Sequence, residues 1–254
     1  MSNNIIHQSQ FMKYLKFPAL SAILGVNLAI AALAPQALAV DKFISVGTSV
    51  TFTCNDSEAK IKAKNGPKVT VGTTNIYVGY QQVSSINQDP RIIRFDNGVK
   101  KWCRSDYETT LDDGRGYGLL WDGKGVLYGV FSSTGNQTGN DFRRFSTGRW
   151  LPTYGNGGGP KVAVIARIDP TNGNVNYSTY LTAKKYSDGK TNSLVVKALS
   201  WNGTSLTVEA DSWWSPRRAN TSSMLCSGIS PFKYTTVFSG DLKTVSWAAA
   251  SGCN

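Results

Sequence analysis

DDGRGYGLLWDGKGVLYGVFSS, residues 112–133, decides the fold, because two short apolar segments flank a tight WDGKG turn. Apolar segments joined by Asp-Gly or Asn-Gly turns are typical of β-hairpins. A second stretch, SDGKTNSLVVKALSWNGTSLTVEADS at residues 187–212, has the same arrangement around a WNGT turn. The chain therefore contains this hairpin at least twice.

The repetition extends over most of the chain. Three segments share one pattern, in which an apolar residue is followed by a polar turn and then by a strand that ends in an aromatic residue. They begin at Phe95, Ile168 and Phe238, which are 73 and 70 residues apart. A recurring period of this kind indicates a repeated supersecondary unit. We predict one domain over residues 40–254 with three units at approximately 40–110, 111–185 and 186–254.

Each unit offers four strands. They lie at 117–122, 127–133, 161–169 and 175–182 in the second unit, and at 193–201, 205–212, 233–239 and 243–249 in the third. Because the connections are short, the strands should pair antiparallel. We predict an all-β, propeller-like fold of three four-stranded antiparallel units, with a β-sandwich built from the same hairpins as the alternative.

The second unit, with DDGRGYGLLWDGKGVLYGVFSS followed by VAVIARIDPTNGNVNYSTYL, resembles the short bacterial β-propeller repeats of the SBBP type. The resemblance covers about 70 residues well and the flanking units loosely. Through APQALA at residues 34–39 combined with DDGRGYGLLWDG, the whole chain also resembles secreted bacterial, notably cyanobacterial, proteins of uncharacterised role. The resemblance implies a propeller blade for each unit and leaves the function open.

Two polar segments have the oxygen-rich composition of calcium loops, DDG at 112–114 and DPTNGN at 169–174. Neither contains the spaced acidic residues of an EF-hand. Asp and Asn at such positions also bind the backbone of hairpin turns, so we predict turns at both places.

Residues 1–39 have the features of a secretory signal peptide, because two lysines precede an apolar run and Ala37-Leu38-Ala39 forms a cleavage pattern. A membrane anchor is the alternative, since the run from Phe17 to Leu33 approaches the roughly 17 residues that span a bilayer. We expect cleavage after Ala39. The remaining chain would be secreted, extracellular, at the cell surface or in the periplasm, with no stable membrane span.

The charge favours anionic partners. The formal charge of the chain is +11 and becomes +9 without the two lysines of the signal segment. A basic surface attracts acidic polysaccharides and other cell-envelope polymers. Export makes these partners a better prediction than nucleic acid.

The four cysteines, Cys54, Cys103, Cys226 and Cys253, all lie in the exported part. An even number in an oxidising compartment predicts two disulfides. We favour Cys54–Cys103 with Cys226–Cys253, because each bond would staple one outer portion of the chain; a rival pairing joins Cys54 to Cys253. The sequence has no CxxC spacing, so we expect no metal site and no cofactor.

Histidine is absent after residue 39, since the only one is His7, and this excludes Ser-His-Asp and Cys-His hydrolases. A glycosidase could still use two carboxylates about 5–9.5 Å apart. The candidate pairs are Glu108 with Asp112 or Asp113, and Glu209 with Asp211. Alternating polar residues also suit the outer face of an ordinary strand, so a protein without enzymatic activity is the favoured interpretation.

Two segments combine arginine with tryptophan, FRRFSTGRW at 142–150 and SWWSPRRAN at 212–220. Both follow the second strand of their units, so the repeat would bring them to the same face. Guanidinium groups bind carboxylate or sulfate with two hydrogen bonds, and exposed indoles stack on flat rings. Alternatively, the indoles fill the space between sheets with arginines over their rings. The predicted ligand-binding residues are Arg143, Arg144, Arg149, Trp150, Trp213, Trp214, Arg217 and Arg218.

Together these features predict a secreted, non-enzymatic protein of the cell surface or extracellular matrix that binds an anionic polymer such as acidic polysaccharide. Two alternatives stay open. One is an interaction module of a surface assembly, partnered by copies of itself or by another surface protein. The other is a carboxylate-dependent glycoside hydrolase.

Overall fold

The computed structural model describes residues 42–111, 113–133, 138–154 and 162–254. The expected signal peptide and Asp112 lie outside these ranges. Helix in the described ranges is limited to α1 (Glu58–Lys62) and one 3-10 helix (Phe142–Phe145). None of it is long and apolar enough to cross a membrane.

Strands make up half of the remaining described residues, and every pair of named strands is antiparallel. The all-β, antiparallel prediction is therefore confirmed. In chain order the strands are β1 (Lys42–Ser45), β2 (Lys68–Val71), β3 (Thr74–Gln82), β4 (Gln88–Asp96), β5 (Val99–Arg104), β6 (Arg115–Trp121), β7 (Leu127–Ser133), β8 (Val162–Ile168), β9 (Val175–Leu181), β10 (Ala183–Lys184), β11 (Thr191–Asn192), β12 (Leu194–Trp201), β13 (Ser205–Ser212), β14 (Ser215–Pro216), β15 (Phe232–Ser239) and β16 (Val245–Ala250).

Three sheets have strands that follow one another along the chain. Sheet 1 has the order β2-β3-β4-β5, sheet 2 has β6-β7-β8-β9, and sheet 3 has β12-β13-β15-β16 with β1 added beside β12. A small fourth sheet has the order β11-β10-β14. The strands predicted for the second and third units match sheets 2 and 3 to within two residues at each end.

Sheet 2 contributes to two separate cores. Tyr128 of sheet 2 packs in one core with Leu199 of sheet 3, and Leu119 packs in the other with Ile76 of sheet 1. Alternate residues of a strand point to opposite faces. Strand β7 is consequently buried at every position, which explains the run without charged residues from Leu127 to Phe131 and the burial of the two serines that follow. Within the described ranges, no strand pairing joins the three sheets into a ring.

The outer face of sheet 1 is covered by the segment that carries α1. Ile61 of α1 packs with Phe52, Tyr77 and Phe95 in a third core. Ser57 caps the helix by accepting a 3.4 Å hydrogen bond from the amide of Lys60. This short helix precedes the four strands of the first unit, and the sequence pattern did not predict it.

Both disulfides have the favoured pairing, Cys54–Cys103 and Cys226–Cys253. The first joins the segment before α1 to β5. The second joins the loop before β15 to the chain beyond β16. The predicted turn at 169–174 is also confirmed, because the Asp169 carboxylate accepts hydrogen bonds from the backbone and hydroxyl of Thr171.

Candidate functional site

The first basic segment begins at the 3-10 helix, where two arginines already face carboxylates. The carboxylate of Asp141 accepts hydrogen bonds from the backbone amide of Arg143 at 2.8 Å and from its Nε at 2.6 Å. Arg144 donates to the carbonyl oxygen of Asp106, lies 3.9 Å from its carboxylate, and covers the Phe145 ring at 4.5 Å. These contacts offset part of the positive charge of both arginines.

The end of this segment belongs to the core between sheets 2 and 3. Trp150 is 7% exposed, and its ring meets that of Phe238 edge-on at 5.3 Å. Its indole N–H donates to the carbonyl oxygen of Ala219 at 2.7 Å. Arg149 lies 4.1 Å above the Tyr177 ring and 3.4 Å from the Asp241 carboxylate. Trp150 therefore packs between sheets and presents no face to solvent.

Arg217 of the second segment is also buried, at 7% exposure. Its Nε donates to the hydroxyl of Thr182 at 2.8 Å, and its Nη1 donates to the carbonyl oxygen of Thr221 at 2.7 Å. Burial lowers the pKa of this guanidinium from its ordinary value. These bonds hold the chain after β14 against the end of β9.

The tryptophans of the second segment are more open. Trp213 is 46% exposed and Trp214 is half-buried. Lys184 pairs with Ser215 between β10 and β14, which places the next residue, Lys185, beside Trp214. The ammonium group of Lys185 lies 5.5 Å from the centre of the Trp214 ring. This is the geometry of a cation–π contact at a solvent-facing surface.

Further exposed groups adjoin this pair around the Cys226–Cys253 disulfide. The Tyr186 hydroxyl donates to the carbonyl oxygen of Cys226 at 3.0 Å, although the residue is 52% exposed. Arg218 donates to the carbonyl oxygen of Asn254, which also accepts from the amide of Leu225 at 3.0 Å. We call this region the disulfide-end surface, and its residues are Lys185, Tyr186, Trp213, Trp214, Arg218 and Leu225.

The structure thus separates the eight predicted ligand-binding residues. Trp213, Trp214 and Arg218 contribute to the disulfide-end surface. Arg217 lies beneath the chain that carries them, and Trp150 touches that chain through Ala219. Arg143 instead faces Asp141, and Arg144 faces Asp106, which lies two positions after the end of β5. Sequence reasoning missed Lys185 and Tyr186, although KKY directly precedes the quoted SDGK turn.

The candidate catalytic carboxylates are differently placed. Glu209 is exposed, whereas Asp211 is bound by the ammonium groups of Lys233 at 2.6 Å and Lys197 at 3.8 Å. These contacts are the ion pairs of an outer strand face. They leave Asp211 poorly placed to act on a substrate beside Glu209.

Glu108 is fully buried, at 0% exposure. Its Oε1 accepts hydrogen bonds from the amide of Thr110 at 2.9 Å and from the Thr110 hydroxyl. The pKa of Glu108 is raised to about 7, mainly by burial; the charges of Asp89 and Asp141 also raise it, whereas the hydrogen bonds from Thr110 lower it. A substrate cannot reach this carboxyl without rearrangement of the surrounding chain.

Comparison with known proteins adds no assignment. No protein-family model matches the chain, and no curated protein shows significant similarity to it. The case for a function therefore depends on the geometry of the surface.

Proposed function

We propose that this protein is secreted, acts without enzymatic chemistry, and binds an acidic polysaccharide through the disulfide-end surface. The observation that carries the proposal is the Lys185 ammonium group above the ring of Trp214, beside the exposed Tyr186. Flat aromatic faces stack on sugar rings, and an adjacent cation attracts the carboxylate or sulfate of the same residue. The pair therefore supplies both elements that a uronate or sulfated sugar requires.

The ion pairs of the arginines support this choice of surface. Arg143, Arg144 and Arg149 each have a carboxylate within 4.0 Å. Arg218 donates to the main-chain oxygen of Asn254, and no Asp or Glu side chain pairs with Arg218 among the described residues. Lys185 itself has the Asp188 carboxylate at 3.7 Å, so Arg218 is the cation of this surface from which an incoming anion would gain most.

The proposal also includes export from the cell and an origin of the three sheets by repetition of one unit. Two disulfides suit an oxidising compartment. We propose that sheets 1, 2 and 3 are blade-like repeats of the SBBP kind, because each is built on four antiparallel strands that follow one another in chain order. An experimental structure with a closed or partner-completed ring would support a propeller, and a flat stack of sheets would support a sandwich.

The proposal is tested by measuring binding of the purified protein to an array of acidic and neutral glycans at two salt concentrations. Salt screens charge–charge attraction but leaves stacking largely intact. We expect capture of particular acidic glycans, weaker at high salt and absent for their neutral counterparts. Equal capture of all acidic glycans would indicate attraction by net charge. Absence of capture at both salt concentrations would contradict the proposal and favour the surface-assembly module, which sedimentation at several protein concentrations would detect.

A further inference from the structure

A cavity of about 530 Å³ lies where the chain crosses from sheet 3 to sheet 2. Its volume falls within the roughly 300–1,000 Å³ of small-molecule sites. It shares no residue with the disulfide-end surface. The lining is contributed by five parts of the chain, which are residues 46–49, the start of β6, residues 130–132 of β7, Ala163 of β8, and residues 193–197.

Two β-bulges shape this cavity. Strand β1 pairs with β12 only from Ala198 to Trp201, and the chain then turns toward β6. The amide of Val46 donates to the carbonyl oxygen of Lys197 at 2.8 Å, and the amide of Gly47 donates to that of Tyr117 at 2.9 Å. Lys197 and Tyr117 are the extra residues at register shifts in β12 and β6. Bulges of this kind redirect side chains beside binding sites.

The interior of the cavity is mainly apolar. It is lined by Val46, Val130, Phe131, Ala163, Leu194 and Val196, with Ser49, Ser132 and Ser193 as neutral polar residues. An apolar body with few polar groups is typical of sites for small organic molecules. The described lining therefore suits a ligand with a hydrocarbon portion.

The charges of the lining are of one sign. Arg115 and Lys197 are its charged residues, and no carboxylate belongs to the described lining. The Arg115 guanidinium lies over the Tyr80 ring at 4.5 Å, and its Nε donates to the side-chain oxygen of Gln88. Both contacts fix the plane of the guanidinium. In the described part of the chain, no hydrogen bond is shown for its two terminal nitrogens, which can therefore bind a ligand. A guanidinium held in this way is suited to bidentate binding of a carboxylate.

We propose that this cavity binds a fatty-acid-like carboxylate, with the head group on Arg115 and the hydrocarbon chain between β7 and β12. Lys197 lies at the exposed side of the cavity, since its side chain is 56% exposed and 3.8 Å from Asp211. Arg115 is therefore the main contributor to recognition of the anion.

The test is calorimetric titration of the purified protein with dodecanoate and, separately, with dodecanol below their aggregation limits. We expect one dodecanoate per chain and at least tenfold weaker dodecanol binding. Arg115→Gln should weaken dodecanoate binding at least tenfold and leave dodecanol binding unchanged. Lys124→Gln, which removes one charge at an exposed turn, is the matched control and should have less than a twofold effect.

A second variant tests the cavity without touching the charge. Ala163→Leu places three more carbon atoms in the lining, so it should weaken both ligands while thermal unfolding shows that the fold persists. The proposal is overturned if neither ligand binds at one per chain, if Arg115→Gln and Lys124→Gln have equal effects, or if folded Ala163→Leu binds as tightly as the unaltered protein. Binding of many dodecanoate molecules without saturation would likewise contradict it.

Discussion

The indole N–H of Trp150 donates a 2.7 Å hydrogen bond to the carbonyl oxygen of Ala219, joining the two arginine–tryptophan segments. The bond fixes the segment after β14 against the core between sheets 2 and 3. The disulfide-end surface continues from that segment. The buried tryptophan of one repeat thus positions the exposed residues of the next.

We expect Trp150→Phe to lower the free energy of unfolding by about 1–3 kcal/mol, because it removes a donor and leaves the Ala219 carbonyl without this partner. Urea denaturation would measure the loss. Trp213→Phe is the control, since that indole is 46% exposed and its substitution should change stability by no more than about 0.5 kcal/mol. Equal losses would contradict a structural role specific to Trp150.

Stability should depend on pH through Glu108. Its pKa is raised from 4.5 to about 7 in the folded protein, so its neutral form favours folding. This stability is complete below pH 4.5 and is lost as the pH rises through about 7. Glu108→Gln stays neutral, so its stability relative to the unaltered protein should rise by up to about 3 kcal/mol between pH 4.5 and 8.

Urea denaturation across that pH range is the appropriate measurement for the Glu108 prediction. Glu209→Gln is the matched control, because Glu209 is an exposed carboxylate on β13. Its stability difference from the unaltered protein should vary little with pH. Parallel pH profiles for all three proteins would mean that Glu108 does not titrate as proposed.

Gly79 is required by a close backbone approach. A Cβ at this position would stand 2.1 Å from the carbonyl oxygen of Val50, which accepts a hydrogen bond from the amide of Tyr80. We expect Gly79→Ala to destabilise the protein by more than about 2 kcal/mol, since backbone must move. Gly125→Ala is the control, because nothing lies within 4 Å of its added Cβ. Thermal unfolding of both variants would distinguish the two positions.

The disulfides should differ in their effect on binding. Each closes a loop, with sequence separations of 49 for Cys54–Cys103 and 27 for Cys226–Cys253, so removing either should cost about 3–4 kcal/mol. Replacement of Cys226 and Cys253 by Ala should also weaken glycan binding, because Tyr186 and Leu225 contact this region. Replacement of the other pair should leave the affinity of the folded protein unchanged. Titration of both variants with the captured glycan, below their unfolding temperatures, would show whether only the Cys226–Cys253 disulfide affects glycan affinity.

Substitutions in the disulfide-end surface should separate stacking from charge. Trp214→Ala should weaken glycan binding at least fivefold at both salt concentrations, since stacking contributes about 1–3 kcal/mol per ring. Lys185→Gln should weaken it mainly at low salt. Arg144→Gln removes the same charge outside this surface and should have less than a twofold effect. An equal effect of Lys185→Gln and Arg144→Gln would show that net charge alone attracts the glycan.

The sequence by itself was sufficient for the strands of sheets 2 and 3, and it favoured the disulfide pairing that the structure has without excluding the rival. Strands alternate with turns that need Asp, Asn or Gly locally, and this chemistry is visible in a few neighbouring letters. The first unit was less predictable. Whether Ile61 belongs to a helix or a strand depends on the distant Phe52, Tyr77 and Phe95 against which it packs.

The side chains of the proposed binding surface could be identified only from the tertiary structure. Trp150 and Trp214 occur in segments of similar composition, yet packing against Phe238 and Ala219 buries Trp150, whereas Trp214 stays half-buried beside Lys185. The cavity beside Arg115 likewise depends on where β1 leaves β12, which no local pattern records. Short-range turn chemistry therefore determined the strands, and long-range packing decided which charged and aromatic side chains a ligand can reach.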